Sequence, residues 1–569
     1  MKKRALLYSF LLLGATAFTS CTDMLDKGPL DEFTDSPEFW NNSGMVEGYA
    51  NAFYNQFTGY GNAGGSGDFY FPSLTDDQVG AGFVSWKFVN VPAASSDWSS
   101  TWDEIRRSNA MIQSMTQYAT TMDAATKNHW IGVARMMRAY QYFDLVRKFG
   151  DCTWLEKPLD VDSPELYAKR DDRDMVMDKV LEDLNFAVTN IKEASDKRYW
   201  SRDMAQAMKS YICLWEGTFR KYRTAEENGK GPDLEGAKRF LEESVKASEA
   251  VMPKYSLCEN YQSLYNSVDL TANPEVIFCK TYKKDTFGHS TIDYTCTSTQ
   301  QNGMSKDAFD SYLKLDGTLA QEGEDAGVLA VAEFDGQEHV SLQNIFEARD
   351  KRLSQQIDPF LAFPGKAWGR LVGGTAMTAS TGYTVAKFDN LDLGTAYREV
   401  GGKNYTSAPL YWLAPIYLNF AEAKAELGTI TNDDLNKSIN LLKKRAGLPA
   451  ITTAVNLNDP DMVKAGVTNP LIWEIRRERR CELMFDNNFR YWDLIRWHQL
   501  HLLDTTTNPD IVLGANIAPA NGAIGDVKVK GNYIDASKGD RVYDKKHYLY
   551  PIPSAQINLK PELGQNPGW

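Results

Sequence analysis

The chain has 569 residues, 24% charged and 43% hydrophobic, with a formal net charge of −13 and a mean hydropathy of −0.43. That is the profile of a soluble globular chain large enough for one extended helical body plus insertions, or for two to four domains. An isoelectric point near 5.2 argues against nucleic acid as a partner, because phosphate binding needs a basic stripe and the arginines between Arg476 and Arg480 have Glu478 among them.

Lys2, Lys3 and Arg4 precede an apolar run, Ala5 to Leu13, which gives way to small residues ending in Thr19, Ser20 and Cys21. Residues 1–20 read as an export signal, too short to span a bilayer. A plain secretory signal needs no cysteine at the cut; here the run resembles a lipobox, with Cys21 as the lipidated first residue of the mature chain. The remaining cysteines, Cys152, Cys213, Cys258, Cys279, Cys296 and Cys481, form no CxxC pair and no zinc-ligand spacing, so they read as isolated buried thiols with no metal or catalytic role.

Residues 21–40 read as a tether, and a first helix is predicted from Glu38 to Phe57. Gly59, Gly61 and Gly64 make a literal GxGxxG, but it follows a helix and opens no βαβ unit, so a loop is expected instead of a phosphate cradle. The loop over 59–98 is turn-rich and aromatic: Phe69, Tyr70, Phe71, Trp86, Phe88 and Trp98 are interspersed with Asp76, Asp77, Gln78 and Asn90. Flat aromatic faces stack on the C–H side of sugar rings while carboxylates and amides take the hydroxyls, so Tyr70, Asp76, Asp77, Trp86, Phe88, Asn90 and Trp98 are ligand candidates. The alternative is a hydrophobic cluster beneath a long loop. Helices follow at Ser99–Ala119, Ala124–Phe149, Asp172–Ile191, Ser201–Tyr222 and Leu234–Ala250, completing an N-terminal helical part over 41–252. Their pairing suggests an α-solenoid or bundle, and Ala205, Ala207, Gly217 and Ala237 partly match the small positions of tetratricopeptide repeats.

Residues 253–405 lose helical periodicity and read as an irregular, partly β insertion. Strands are expected at Glu275–Lys283 and Tyr383–Phe388 and short helices at Ala308–Leu315 and Ile345–Leu353, with Tyr294 and Trp368 as further ligand candidates beside Tyr282, Phe287 and Tyr383. Residues 406–569 return to helix at Pro409–Leu427 and Asp433–Arg445. Leu471–Trp497 then reads as one long helix, with an apolar band through Ile475, Phe489 and Trp492, and with Glu474, Glu478 and Glu482 repeating every four residues among arginines. Glu478 and Glu482 could be taken for a catalytic acid pair, but clustered guanidinium groups hold carboxylates ionised, so structural ion pairs are the better reading. The six histidines form no HExxH, and no GxSxG occurs, which leaves a surface glycosidase as the weakest reading.

Four further stretches resemble one known family. ERRCELMFDNNFRYWDLIRW (Glu478–Trp497), VARMMRAYQYFDLVRKFGDCTWLEKPL (Val133–Leu159), PLYWLAPIYLNFAEAKAELG (Pro409–Gly428) and YLYPIPSAQINLKPELGQNPGW (Tyr548–Trp569) are similar to signature runs of the SusD/RagB family, in the expected order after the lipobox. One departure is Asp486-Asn487-Asn488, where the family commonly has Glu-Gly. The resemblance implies a mainly α fold, a tetratricopeptide-like α-solenoid scaffold carrying the irregular, partly β insertion. It implies Arg138, Asp144, Arg147 and Asp151 as structural ion partners, and Asp23 and Asp26 near the anchor are similar to acidic surface-export signals. It further implies a non-enzymatic lipoprotein of the outer membrane that holds an oligosaccharide and acts as the lid of a SusC-like TonB-dependent transporter. A RagB-like oligopeptide-binding role is the alternative. No cofactor is expected, although Ca²⁺ could occupy an acidic loop.

Overall fold

The computed structural model describes residues 35–62, 67–70, 74–291, 300–320, 329–518 and 527–569. The lipobox cysteine Cys21, residues 22–34 of the tether, Gly64, Phe71, Tyr294 and Cys296 lie outside the described residues, while the end of the predicted tether is described and forms a short helix, Pro37–Trp40. After α1 (Ser43–Asn51), five long helices follow: α2 (Ser96–Tyr118), α3 (Ala124–Phe149), α4 (Arg173–Asn190), α5 (Arg202–Tyr222) and α6 (Leu234–Val251). Polar residues fix the starts of four of them: Asp123, Asp172, Ser201 and Asp233 each accept a hydrogen bond from a first-turn backbone N–H of α3, α4, α5 and α6. Gly150, at φ 72°, ends α3.

Each of these helices packs on the next, which gives the tetratricopeptide-like solenoid. α3 lies inside it and is buried almost all round, the condition in which a helix need not be amphipathic. Gly217 permits the close approach of α5 and α6, since a Cβ there would stand 2.7 Å from Leu241 Cγ.

The solenoid resumes after the insertion as though uninterrupted. α7 (Leu413–Glu426) packs on α6 and α5, and the insertion is zipped shut at its base by an antiparallel pair, β1 (Val276–Lys280) with β2 (Ala408–Trp412). α8 (Ile439–Arg445), α9 (Pro470–Glu482) and α10 (Phe489–Arg496) complete the C-terminal part.

Several sequence expectations change. Pro409–Trp412 is strand, not the start of a helix, because Pro409, Tyr411 and Trp412 pair with Cys279, Phe278 and Val276 of β1 before the chain turns into α7. Tyr383–Phe388 forms only isolated bridges, Gly303 with Thr384 and Ile357 with Val385. A hairpin joins Ala330–Phe334 to Gln337–Ser341 through Asp335-Gly336, both at positive φ, the two-residue turn chemistry that favours Asp-Gly. The long helix over 471–497 is two helices, broken by a turn in which Phe485, Asn487 and Asn488 all take left-handed φ (66°, 46° and 56°). Asparagine tolerates that region; phenylalanine is strained there. The turn is held by Asp486, whose carboxylate accepts hydrogen bonds from Lys387 Nζ (2.7 Å) and Tyr265 Oη (2.8 Å).

Glu478 and Glu482 are structural, and their partners come from distant sequence. Arg352 Nη1 bridges Glu478 (2.6 Å) and Glu482 (2.8 Å) while its Nη2 holds Asp350 (2.6 Å). Arg445 takes the other oxygen of Glu482. The arginines of α9 reach outward in turn: Arg479 to Asp493 (2.7 Å), and Arg480 to Asp77 and Asp307 (2.8 Å each). Burial opposes the charge of Glu478, but Arg352 and Lys443 outweigh it and hold the carboxyl below its ordinary range, the reverse of what a general acid requires.

Glu422 of α7 shows the consequence for acid stability. Arg496 grips it through two bonds (2.5 and 2.7 Å) and Trp497 Nε1 donates a third (2.6 Å). Burial alone would raise its pKa, but Arg496 brings it down from 4.5 to about 2. A depressed folded-state pKa contributes stability in full above the unfolded value and loses it as pH falls through the folded one. Glu422 alone should therefore cost the fold on the order of 3 kcal/mol between about pH 4.5 and 2. Urea titrations across that window should show the midpoint falling, and a Glu422→Gln variant should flatten the slope.

Candidate functional site

The ring candidates of the 59–98 loop are packed. Trp86 stacks on His547 (centroids 3.8 Å apart, planes at 17°) and donates from Nε1 to the Val542 carbonyl at 2.8 Å. Trp98 belongs to the first turn of α2, since that helix starts three residues before the expected Ser99, and meets Phe149 edge-on at 5.0 Å. Tyr70 is 1% exposed, with its backbone N–H on the Phe485 carbonyl. Trp368 is 5% exposed against Phe334 and Phe360. Tyr282 stacks on Phe287 and Tyr383 on Phe309. A ring covered on its faces has none to offer a sugar, so Tyr70, Trp86, Trp98 and Trp368 follow the packing alternative.

The polar candidates are engaged as well. Asp76 accepts two bonds from Arg490 (2.8 and 2.6 Å), and Asp77 accepts one from Arg480 Nε (2.8 Å). Burial opposes the charge on Asp76, but Arg480 and Arg490 outweigh it and hold the carboxyl well below the usual carboxylate range. The two aspartates thus clamp the loop to α9 and α10. Phe88 is half-buried against Tyr550 (5.1 Å) and Asn90 is exposed. The structure does not bring these residues together as one site.

What it does assemble is a cleft of about 680 Å³ where the solenoid meets the C-terminal helices, within the range of small-molecule sites, about 300–1,000 Å³. Helical spacing builds three of its walls. α3 contributes Tyr140, Asp144, Arg147 and Lys148; α5 contributes Met208, Tyr211 and Ile212; α2 contributes Asp97, Thr101 and Glu104. The remaining wall comes from Tyr411 and Trp412 of β2, Asn419 of α7, and the strained turn with Asn487 and Asn488.

Tyr140, Tyr211 and Tyr411 are half-buried and near one another, each influencing another's ionisation. None of their three hydroxyls is hydrogen-bonded to another described residue. Burial pushes all three phenols above their ordinary pKa, so each remains an O–H donor and acceptor at physiological pH. Unmet polar demand continues around the wall: the Asn488 amide oxygen and Trp412 Nε1 also lack partners among the described residues.

The charges in the cleft are mostly committed. Asp144 takes Arg147 on one oxygen (2.6 Å) and Lys148 on the other (2.8 Å). Lys148 also reaches Asp97 (3.0 Å), as does Lys87 (3.2 Å). Glu104 accepts from Gln56 (2.7 Å). Arg147 lies over the rings of Trp492 (4.1 Å) and Phe143 (5.1 Å). Asp68 differs: its backbone N–H donates to the Gly59 carbonyl at 3.0 Å, and burial raises its pKa against the opposing pull of the Thr58 side chain, Arg147 and Lys280. Of the ion partners implied by family resemblance, Arg138 makes a buried bidentate pair with Asp183 (2.7 and 2.8 Å) far from any ligand role, whereas Asp144 and Arg147 line the cleft.

Among the described residues no group of three or more histidines, cysteines, aspartates or glutamates is arranged to hold a metal ion. Cys152, Cys213, Cys258, Cys279 and Cys481 are free and buried.

A family model described as the SusD family matches residues 274–569, more than half of the sequence. The chain belongs to the SusD family. A SusD-like protein of Bacteroides ovatus is 25% identical over 281 residues, which are 47% of this chain and 46% of that protein, so less than half of that relative's length is matched. A solved SusD-like protein from Bacteroides fragilis superposes with a TM-score of 0.66 at 21% identity, over 95% of this chain and 100% of the other. A second B. fragilis structure, described as a SusD-like carbohydrate binding protein, gives 0.65 at 18% identity over 92% and 99%. At these identities the structures share a fold with this SusD-family chain. The matched region contains Tyr411, Trp412, Asn487 and Asn488; Tyr140 and Tyr211 come from the solenoid ahead of it, so the cleft joins the two parts of the chain.

The tyrosines were within reach of the sequence. Tyr140, Asp144, Arg147 and Lys148, at i, i+4, i+7 and i+8, form a polar stripe on a helix whose surface is mostly buried, and such a stripe inside a buried helix must face either an ion-pair partner or a cavity.

Proposed function

We propose that this SusD-family protein is a non-enzymatic oligosaccharide receptor, anchored through lipid on Cys21 at the outer membrane and delivering its ligand to a SusC-like TonB-dependent transporter. The observation that carries the glycan reading is the set of unpartnered hydroxyls on Tyr140, Tyr211 and Tyr411 in one cleft. A polyhydroxylated ligand can satisfy all three at once and lay its C–H faces on their rings. The description of the second B. fragilis relative as carbohydrate binding supports the same class. A general-acid role for Asp144 is disfavoured by its partners: Lys148 and Arg147, one on each oxygen, outweigh burial and hold the carboxyl below its ordinary range, the reverse of what a general acid requires.

For the anchor, a tethered protein needs no spanning helix, and among the described residues no helix is long and apolar enough to cross a membrane. Expressed in an outer-membrane host, the full chain should fractionate with membranes, and Cys21→Ser should release it to the soluble fraction. A glycan array probed with the purified protein should show binding without hydrolysis. Retention of Cys21→Ser in the membrane, or turnover of any glycan, would remove this reading.

A further inference from the structure

Resting on the reading of the cleft as a glycan site, we infer that it accepts neutral oligosaccharides and excludes acidic ones such as uronate or sialate chains, with Asp68 setting the exclusion. The ionisable side chains lining the cleft are Asp68, Asp97, Glu104 and Asp144 against Lys87, Arg147 and Lys148, an excess of one negative charge on a chain whose net charge is −13. The cations are spent within the wall. Arg147 and Lys148 hold Asp144, and Lys148 and Lys87 hold Asp97, so none of the three is left as a lone counter-ion for a ligand carboxylate.

Asp68 is the carboxylate to which no cation comes within ion-pair distance among the described residues. Its hydrogen-bonding capacity beyond the Thr58 side chain is open to a ligand donor. A sugar hydroxyl beside it donates and is held; a carboxylate beside it brings two like charges into a half-buried space where Arg147 is already held by Asp144 and no cation stands within ion-pair distance of Asp68. Discrimination by a repulsive element of this kind needs no additional contact to the favoured ligand. The tyrosine hydroxyls serve either ligand, so they set affinity and leave the choice of charge to Asp68.

The experiment is calorimetry on the purified protein with two sets of probes. Neutral oligosaccharides cut from glucan, mannan, galactan and xylan form one set. Oligogalacturonate, its fully methyl-esterified form, oligomannuronate and sialyllactose form the other. At least one neutral oligomer should bind, every free acid should bind at least about tenfold more weakly than the tightest neutral probe, and esterification should raise affinity wherever the galacturonate backbone is recognised. Asp68→Asn should narrow the neutral-to-acidic ratio by about tenfold, and Asp68→Ser, with its melting temperature recorded, guards against a folding defect in the first variant. An acidic oligomer bound as tightly as the neutral ones, or a ratio unmoved in both folded variants, overturns the inference while leaving the glycan reading intact. Failure of every probe to bind removes the glycan reading and the inference with it.

Discussion

Arg352→Met is expected to lower the unfolding free energy by about 3–5 kcal/mol, the cost of stranding buried carboxylates by removing their cation. Arg352 is fully buried and touches three of them, Asp350, Glu478 and Glu482, at 2.6–2.8 Å. Lys443 stands 3.6 Å from Glu478, and Arg445 remains on the far oxygen of Glu482, so part of the charge stays compensated. Glu478 and Asp350 then either ionise without a full partner or take up protons, and in the second case the variant recovers stability as pH falls. A denaturant titration at neutral pH and again near pH 5 separates these outcomes. The exposed pair Lys238–Glu242, 3.9 Å apart, is the control, since severing a surface pair leaves the midpoint nearly unmoved. A loss under about 1 kcal/mol for Arg352→Met would mean that water reaches this network.

That network also marks the limit of what the sequence could tell. Periodicity placed α3 residue for residue and located α4, α5 and α6 within about two residues, because their caps are local: each start depends on a side chain two or three positions from the N–H it accepts. The ion pairs of α9 are not local. The charge pattern every four residues correctly implied paired carboxylates, yet the partners Arg352 and Arg445 lie 126 and 37 residues away from Glu478 and Glu482 respectively, and no spacing rule reaches so far. The break at residues 483–488 was hidden for a related reason. Apolar residues continue in helical phase through Phe485 and Phe489, and the reversal is imposed by Asp486 meeting Lys387 and Tyr265 from the insertion.

The aromatic loop misled in the opposite direction. Trp86 and Trp98 are large and occur in a segment without period, which is equally the signature of a binding loop and of a loop nailed to the core. What decides between them is whether the ring's faces and N–H are already taken. Trp86 spends its ring on His547 and its N–H on Val542, contacts separated from it by more than four hundred residues. Tyr140 and Tyr211, on helices α3 and α5, have open hydroxyls instead. Sequence supplied the rings; three-dimensional contact decided which of them were free.

The tyrosine cleft supplies the largest expected effect on binding, and its test exploits that difference. Replacing Tyr140, Tyr211 and Tyr411 together by phenylalanine removes three oxygen atoms and leaves every ring in place. No described residue loses a hydrogen bond, because none was made, so the triple variant should melt within a degree or two of the parent or slightly higher. If a glycan uses these hydroxyls, each contributes about 1 kcal/mol and the triple loss is about 3 kcal/mol, roughly a hundredfold or more in Kd. Trp86→Ala should do the converse, costing about 3–5 kcal/mol of stability through the vacated core site while the Kd of the folded fraction stays near that of the parent. The crossed pattern, affinity lost without stability in one variant and stability lost without affinity in the other, is what places the ligand in the cleft. Weakened binding in Trp86→Ala at unchanged melting temperature, with the triple phenylalanine variant binding normally, would return the site to the loop.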